Sequence, residues 1–217
     1  MLILGIDTTE KNINIALTLN KNILFESELI SNRTEDIINH LRTAFLELGK
    51  TPTDLNAIGV ILGPGGYTGT RSGIVVAKTM AQFINIPVIG FNKIDALLLA
   101  YNKNKKIKKI SPNIDVKRNE SYFCIANVNE GNISYLKEPS VLKIEDLSNE
   151  IQNNLDTIFL LKDFENKKNL FPETNNIDYN FYLKPSDIAF ITQEYIEANK
   201  KITYFNDIKP FYIREAV

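Results

Sequence analysis

Leu2-Ile3-Leu4-Gly5-Ile6-Asp7 is a continuous apolar run that stops on a carboxylate, and Ile110-Ser111-Pro112-Asn113-Ile114-Asp115, much later, ends the same way. An apolar run of strand length without polar alternation predicts a central strand buried on both faces. The residues after each run are also alike. Beyond the first, Ile13, Ile15, Leu17 and Leu19 alternate with Asn14, Ala16 and Thr18, Asn20-Lys21-Asn22 supplies turn chemistry, and Ile23–Leu29 returns. Beyond the second, Tyr122–Val128, the turn Asn129-Glu130-Gly131-Asn132 and Ile133–Lys137 repeat the hairpin. The chain thus opens twice with a strand that ends on Asp and a hairpin.

Outward from these openings, periodicity gives the remaining elements. Ile37, Ile38, Leu41, Ala44, Phe45 and Leu48 share one face of a helix over about Thr34–Gly49, with Gly49 as its stop. Ala57–Leu62 reads as a buried strand, Thr70 to Ile84 as a helix, Pro87–Gly90 as a short strand, and Asn92 as the cap of a helix through Tyr101. The later part reads as a helix over Ile144–Asn154, a strand over Thr157–Leu161, a polar loop, and a helix over Ser186–Asn199. The order predicts an α/β protein of two ribonuclease-H-like lobes, the layout of the actin/Hsp70/sugar-kinase type, with the second lobe reduced. The expected division is 1–102 for the N-terminal lobe, a basic linker at 103–109, and 110–217 for the reduced lobe and tail. Lys103 to Lys109 is read as solvated linker, with an RNA-touching patch as the alternative.

Composition narrows the chemistry. The 217 residues carry 25 Lys+Arg against 26 Asp+Glu, so there is no basic excess for gripping nucleic acid unaided. One cysteine (Cys124) and one histidine (His40) exclude an internal disulfide and every zinc site built from several such ligands. A Ser-His-Asp or Cys-His enzyme would depend on His40 alone, and Cys124, in an apolar strand, reads as core. Neither a signal sequence nor a membrane-length apolar segment is visible, so the expected compartment is the cytoplasm.

The densest motif is Gly63-Pro64-Gly65-Gly66-Tyr67-Thr68-Gly69-Thr70-Arg71-Ser72-Gly73, between a strand and a helix. Free N–H groups at the helix start favour an anion, so Gly65, Gly66, Thr68, Gly69 and Arg71 are candidate nucleotide or anion contacts. A tight turn that lets the helix pack on the sheet explains the same glycines. It is neither a Walker loop nor G-x-G-x-x-G. Asp7 and Thr8 at a strand end could hold a metal–nucleotide, or Asp7 could cap its own turn. Glycine follows the Asp in the phosphate-cradling version of such a turn, whereas Thr8-Thr9-Glu10 follow here. The helix after the loop is apolar over more than half its circumference, more than one sheet contact needs. Gly73, Ala77 and Ala81 form a small-residue row at i, i+4, i+8. Either this helix packs between the sheet and the first helix, or the two helices form a subunit interface. His40, Leu46, Gly73, Ala77, Met80 and Ala81 are the candidates for that interface. Arg71 could meet a carboxylate or phosphate, or make a salt bridge inside its lobe.

Together these residues resemble the TsaB (YeaZ) family, the small partner subunit in bacterial threonylcarbamoyladenosine modification of tRNA. Ile3-Leu4-Gly5-Ile6-Asp7-Thr8 is similar to that family's opening. Gly63 to Gly73 resembles its G-P-G-S-[FY]-T-G-[LVT]-R-x-G signature, with Gly66 at the Ser position. Ile114 to Tyr122 resembles I-D-A-R-x-x-E-V-Y, with Lys117 at the Arg position, and Pro210-Phe211-Tyr212-Ile213-Arg214 resembles P-x-Y-[LI]-R. Arg33-Thr34 stands where the family often has His-Ser or His-Thr, so no role of that histidine carries over.

The resemblance implies a non-catalytic subunit that pairs through the first lobe's helices with the catalytic paralogue TsaD and activates it. The small ATPase TsaE would bind the pair, and tRNA would be met through the complex. The chain alone would form a homodimer. It would need no cofactor of its own, any ATP or ADP lying at a subunit interface. The alternative is an ATP-dependent phosphotransferase or ATPase of the actin/sugar-kinase fold. That reading needs a second phosphate loop, and the chain after residue 90 has a single glycine, Gly131.

Overall fold

A computed structural model describes residues 1–31, 34–103, 109–200 and 207–213. The chain divides into two units, Met1–Ala96 with Leu183–Val217, and Leu97–Tyr182.

In the first unit, β1 (Leu2–Asp7), β2 (Asn12–Leu19), β3 (Asn22–Ile30), β4 (Ala57–Gly63) and β5 (Val88–Asn92) form one sheet in the order β3-β2-β1-β4-β5. β1 runs antiparallel to β2, from Leu2↔Leu19 to Asp7↔Asn14, and parallel to β4. Asn20 and Lys21 take φ of 50° and 64°, the paired left-handed residues of a two-residue hairpin. Two helices lie on one face, α1 (Thr34–Glu47) and α2 (Tyr67–Ile84). There Leu2, Leu4 and Ile6 pack with Ile37, Leu41 and Phe45 of α1 and with Ile74 of α2. Each such side chain contributes about 1.5–3 kcal/mol by leaving water. On the other face Ile3 and Ala57 pack against Ala189 of α5 (Pro185–Glu197). Gly5 makes that approach possible. A Cβ there would lie 2.7 Å from the Pro185 carbonyl oxygen and 2.9 Å from the Ala189 nitrogen.

The second unit repeats the plan. β6 (Lys109–Asp115), β7 (Glu120–Asn129), β8 (Asn132–Lys143), β9 (Thr157–Leu160) and β10 (Ile177–Asp178) are ordered β8-β7-β6-β9-β10. β6 is antiparallel to β7 and parallel to β9, as β1 is to β2 and β4. The β7–β8 turn again uses two left-handed residues, Glu130 and Gly131. α4 (Ile144–Asn153) buries Ile144, Leu147 and Ile151 against Phe123, Phe159 and Phe164. The unit is reduced at β9 and β10, of four and two residues.

The sequence-based boundaries need three corrections. α2 begins at Tyr67, not Thr70, because Gly66 caps it and Thr70 N–H already reaches the Gly66 carbonyl at 2.9 Å. The expected polar loop contains β10 and a run of 3-10 turns over Lys162–Leu170, too short and polar to leave a periodic signal. The tail 183–217 does not belong with the second lobe: α5 covers the first sheet, and the division falls at Ala96/Leu97, inside α3 (Lys93–Asn102). Of the expected linker, residues 104–108 lie outside the described residues, and Lys109 opens β6. Among the described residues no helix is long and apolar enough to cross a membrane.

The close contact between β1 and α5 is open to a direct test. Gly5→Ala should destabilise the protein by about 1–3 kcal/mol, because backbone atoms must give way to the new methyl. Urea unfolding followed by circular dichroism measures this, and an unchanged midpoint would show that α5 does not rest on β1.

Candidate functional site

The end of β1 is a buried polar knot. Asp7, Thr8 and Thr9 are all buried. Asp7 Oδ1 accepts from Thr9 N–H at 2.8 Å and from Thr9 Oγ1 at 2.6 Å, so the carboxylate caps its own turn. Lys93, the first residue of α3, is buried as well. Its Nζ donates to Thr9 Oγ1 at 3.2 Å and to the Glu10 carboxylate, and stands 3.7 Å from Asp7 Oδ2. Asn92 caps α3 as expected, accepting from Ile94 N–H at 2.9 Å.

The glycine-rich loop closes over this knot. Gly66 N–H donates to the Thr9 carbonyl at 2.6 Å, and Thr8 Oγ1 donates to the Gly69 carbonyl at 2.7 Å. A Cβ at Gly65 would collide with Thr9, and one at Gly69 or Gly73 with Thr8. Asp7, Thr8, Gly65, Gly66 and Gly69 are therefore brought together, as packing partners of one another. Thr68 stays exposed on the outer side of α2. The left-handed glycine of this loop is Gly63, at φ 116°, where Phe211 leaves no room for a side chain.

Arg71 belongs to a second cluster. Its guanidinium lies 3.8 Å from the centroid of the Tyr67 ring, and its Nε donates to Tyr212 Oη at 2.8 Å. Tyr67 and Tyr212 stack at 5.3 Å. The segment carrying Tyr212 is held at two further points, Phe211 N–H to the Leu62 carbonyl at 2.7 Å and Lys78 Nζ to the Ile208 carbonyl at 3.1 Å. Arg71 thus braces the tail within its own unit through tyrosines, where the sequence left open either a salt bridge inside the lobe or a contact with a carboxylate or phosphate. Arg214, the last residue of the tail motif, and Arg33 lie outside the described residues.

The interface candidates separate. Gly73, Ala77 and Ala81 are buried in their own unit, Ala77 at 0%, and Met80 packs against the same core. Their contacts are thus with α1 and the sheet of their own unit, Met80 only in part. His40 is half-buried, its ring edge-on to Phe25 at 5.7 Å, with Nε2 lacking a hydrogen-bond partner. Its contact with Phe25 packs α1 on β3, and the resulting burial lowers the imidazole pKa against the opposing pull of Glu47. Leu46 does face outward, at 68% exposure. α1 also exposes Ile38, and α2 exposes Val75 and Phe83, the last at 87%. None of these three is an interface candidate from the sequence, and Ile38, placed there on the inward face of α1, is 56% exposed instead.

Lys93 was also missed. A cation in the first turn of a helix opposes the helix dipole, a signal that carboxylates wait nearby. The second unit has a related arrangement. Asp115, at the end of β6, accepts from Lys117 N–H at 2.8 Å and from Lys167 Nζ at 2.9 Å. Burial raises the Asp115 pKa, but the hydrogen bonds and charges of Lys167 and Lys117 together outweigh this and hold it below the usual carboxylate range. Among the described residues no group of three or more His, Cys, Asp or Glu is placed to hold a metal ion.

Two units with the same sheet order, each ending its central strand on an aspartate, place the chain in the class of duplicated ribonuclease-H-like proteins that includes actin-type ATPases and sugar kinases. The family described as TsaD, tRNA N6-adenosine threonylcarbamoyltransferase, matches residues 28–208. The chain belongs to this family, on its TsaB/YeaZ side. The tRNA threonylcarbamoyladenosine biosynthesis protein TsaB of Bacillus subtilis (strain 168) is 32% identical over 124 residues, 56% of this chain and 53% of that protein. TsaB of Escherichia coli (strain K12) is 29% identical over 155 residues, 70% of this chain and 67% of its own length. The matched region thus spans about half the Bacillus relative and two thirds of the other. A crystal structure from Pseudomonas aeruginosa, of an uncharacterized protein with similarity to peptidase YEAZ, superposes with a TM-score of 0.79 at 18% identity. It covers 98% of this chain and 99% of its own and shows the shared fold.

Arg71 and His40 each have a measurable consequence. Arg71→Ala should lower stability by about 1–2 kcal/mol, the sum of a cation–π contact and a hydrogen bond, and should speed proteolysis of the segment after residue 200. Limited proteolysis with mass mapping reads this, and an unaltered cleavage rate would mean that Arg71 does not hold the tail. His40 gives a pH effect. Its folded pKa is lowered, so the unfolded chain binds the proton first, and stability falls as pH drops through about 6.5, the ordinary imidazole value. His40→Phe should flatten that part of the stability–pH curve, measured by urea titrations on either side of it.

Proposed function

We propose that this chain is a non-catalytic subunit in the synthesis of threonylcarbamoyladenosine on tRNA, and that it activates a catalytic paralogue of the TsaD kind by docking the outer faces of α1 and α2 against it. The observation that carries the proposal is Phe83 at 87% exposure and Leu46 at 68%, on helices whose inner faces are already filled. Single exposed apolar residues are ordinary, but four on two adjacent helices fit a protein-binding face. The names of the TsaB relatives support the pathway. The lone histidine, turned in against Phe25, is unsuited to a metal site of paired histidines, which favours a partner over a transferase.

In this assembly a TsaE-like ATPase binds the pair, and tRNA is engaged by the complex, in keeping with a chain of formal net charge -1. Alone, the chain uses the same face to form a homodimer. An adenine nucleotide, where the assembly holds one, lies at a subunit junction. The cytoplasm is the compartment for this work. The phosphotransferase reading rests on fold class alone, and no observation favours it.

Phe83→Glu and Leu46→Glu test the proposal. Both side chains are exposed, so the melting temperature of the isolated chain should stay within about 2 °C of wild type. Affinity for the catalytic paralogue from the same organism should fall by roughly 30-fold or more, the loss of an interface anchor. Calorimetry on the purified pair measures it. Undiminished affinity in both variants would place the interface elsewhere.

A further inference from the structure

The fold class raises the question of a metal–nucleotide at the end of β1, and the residues there do not fit one. A divalent cation of the Mg²⁺ kind needs free oxygen ligands at about 2.0–2.1 Å and usually keeps several waters. Asp7 Oδ1 already holds two donors from Thr9, and Asp7 Oδ2 faces an ammonium 3.7 Å away. The carboxylate is 3% exposed and Lys93 6%, so a second cation would meet the first with little water to screen them. The loop that would cradle phosphate is also occupied. Gly66 N–H is bonded to the Thr9 carbonyl, and Gly65, Gly69 and Gly73 press on Thr8 and Thr9.

We infer that Lys93 is a resident counter-ion, which supplies from within the chain the positive charge that the Asp7 carboxylate would otherwise draw from a divalent cation, and so closes this turn to a metal–nucleotide. The position of Lys93 fits that role. It opens α3, where a cation opposes the helix dipole, and α3 is capped there by Asn92, so the ammonium answers to the carboxylates and not to its own helix. Lys167 does the same for Asp115 in the second unit, at 2.9 Å. Both aspartates that the duplicated fold sets at the ends of its central strands are thus matched by lysines of the chain itself. The inference stands apart from the proposed role in tRNA modification.

The test uses the full chain, with Mn²⁺ as the probe, alone and with ADP. Thermal unfolding and calorimetry should show neither saturable Mn²⁺ binding by the wild type nor any stabilisation. Lys93→Met leaves a buried carboxylate unpaired, and its melting temperature should fall by roughly 10 °C. Mn²⁺ should restore part of that loss. The double variant Asp7→Asn with Lys93→Met, which removes the two buried charges and leaves only the solvent-exposed Glu10 carboxylate, should recover stability without Mn²⁺ and ignore the ion. Saturable Mn²⁺ or Mn²⁺–ADP binding by the wild type that Asp7→Asn abolishes would overturn the inference. So would a folded Lys93→Met protein indifferent to Mn²⁺, or a double variant no more stable than Lys93→Met. If Lys93→Met does not fold at all, the double variant decides: folded, it supports the pairing of Lys93 with Asp7, and unfolded, it overturns it.

Discussion

The first unit is organised by the contact of the Thr8–Thr9 turn, backbone and side chains together, with a column of glycines. Gly65, Gly69 and Gly73 lie four residues apart, and each would collide with Thr8 or Thr9 if it carried a Cβ. Ala77 and Ala81 continue the column into the core beneath α1. The row is thus one continuous close-packing edge, which sets α2 directly on the end of β1 and lets α1 settle beside it. A small-residue stripe on a helix favours close approach but does not say of what. Here the strand turn and the unit's own core take up the whole row, which leaves the opposite side of α2, with Val75 and Phe83, to face outward.

The same contact ties the loop to the tail. Because Gly63 turns with positive φ against Phe211, the chain can lay its last described segment across the end of β4 and place Tyr212 on Tyr67 and Arg71. Ile208 is buried in the core that β1 and α2 build. The first unit is therefore completed by residues from the far end of the chain, α5 on one face of the sheet and Ile208 within the core of the other. Its folding waits on contacts of great sequence separation, whereas the second unit is built from one continuous stretch.

Much of this plan is legible in the residues alone. The apolar runs ending on Asp7 and Asp115, the two hairpin turns and the helical spacing of α1 are local signals, and the duplicated sheet order follows from them. The illegible part is non-local. The apolar stripe of α5 does not say which sheet it covers, and the lobe assignment of residues 183–217 fails there. β10 is two residues paired with β9 and has no period to read. Within the site, Asp7, Thr8 and the glycines stand out by type and spacing, but their partners in space do not. The sequence shows that α2 carries more apolar surface than one sheet contact needs, and the structure puts Ala77 and Ala81 on its inward side and Val75 and Phe83 on its outward side. Spacing cannot tell an inward arc from an outward one when both are apolar, and Ala77 and Val75 differ only in which neighbour reaches them.

Charge and shape at the start and along the length of α2 point the same way. At its start, loop glycines and a polar knot are fitted together tightly, with Asp7 satisfied by Thr9 and accompanied by Lys93. Breaking up such a pair leaves an uncompensated buried charge, so the arrangement resists opening for a ligand. Along its length, by contrast, α2 offers apolar side chains to solvent at no evident benefit to the isolated unit. Exposed apolar surface lowers stability only by the burial it forgoes, and it is recovered when a second protein covers it. In this chain, then, the groups that could do chemistry at the end of β1 hold one another in place, and the outer faces of α1 and α2 are among the surfaces that still offer apolar side chains to solvent. That distribution is what the docking role proposed above requires.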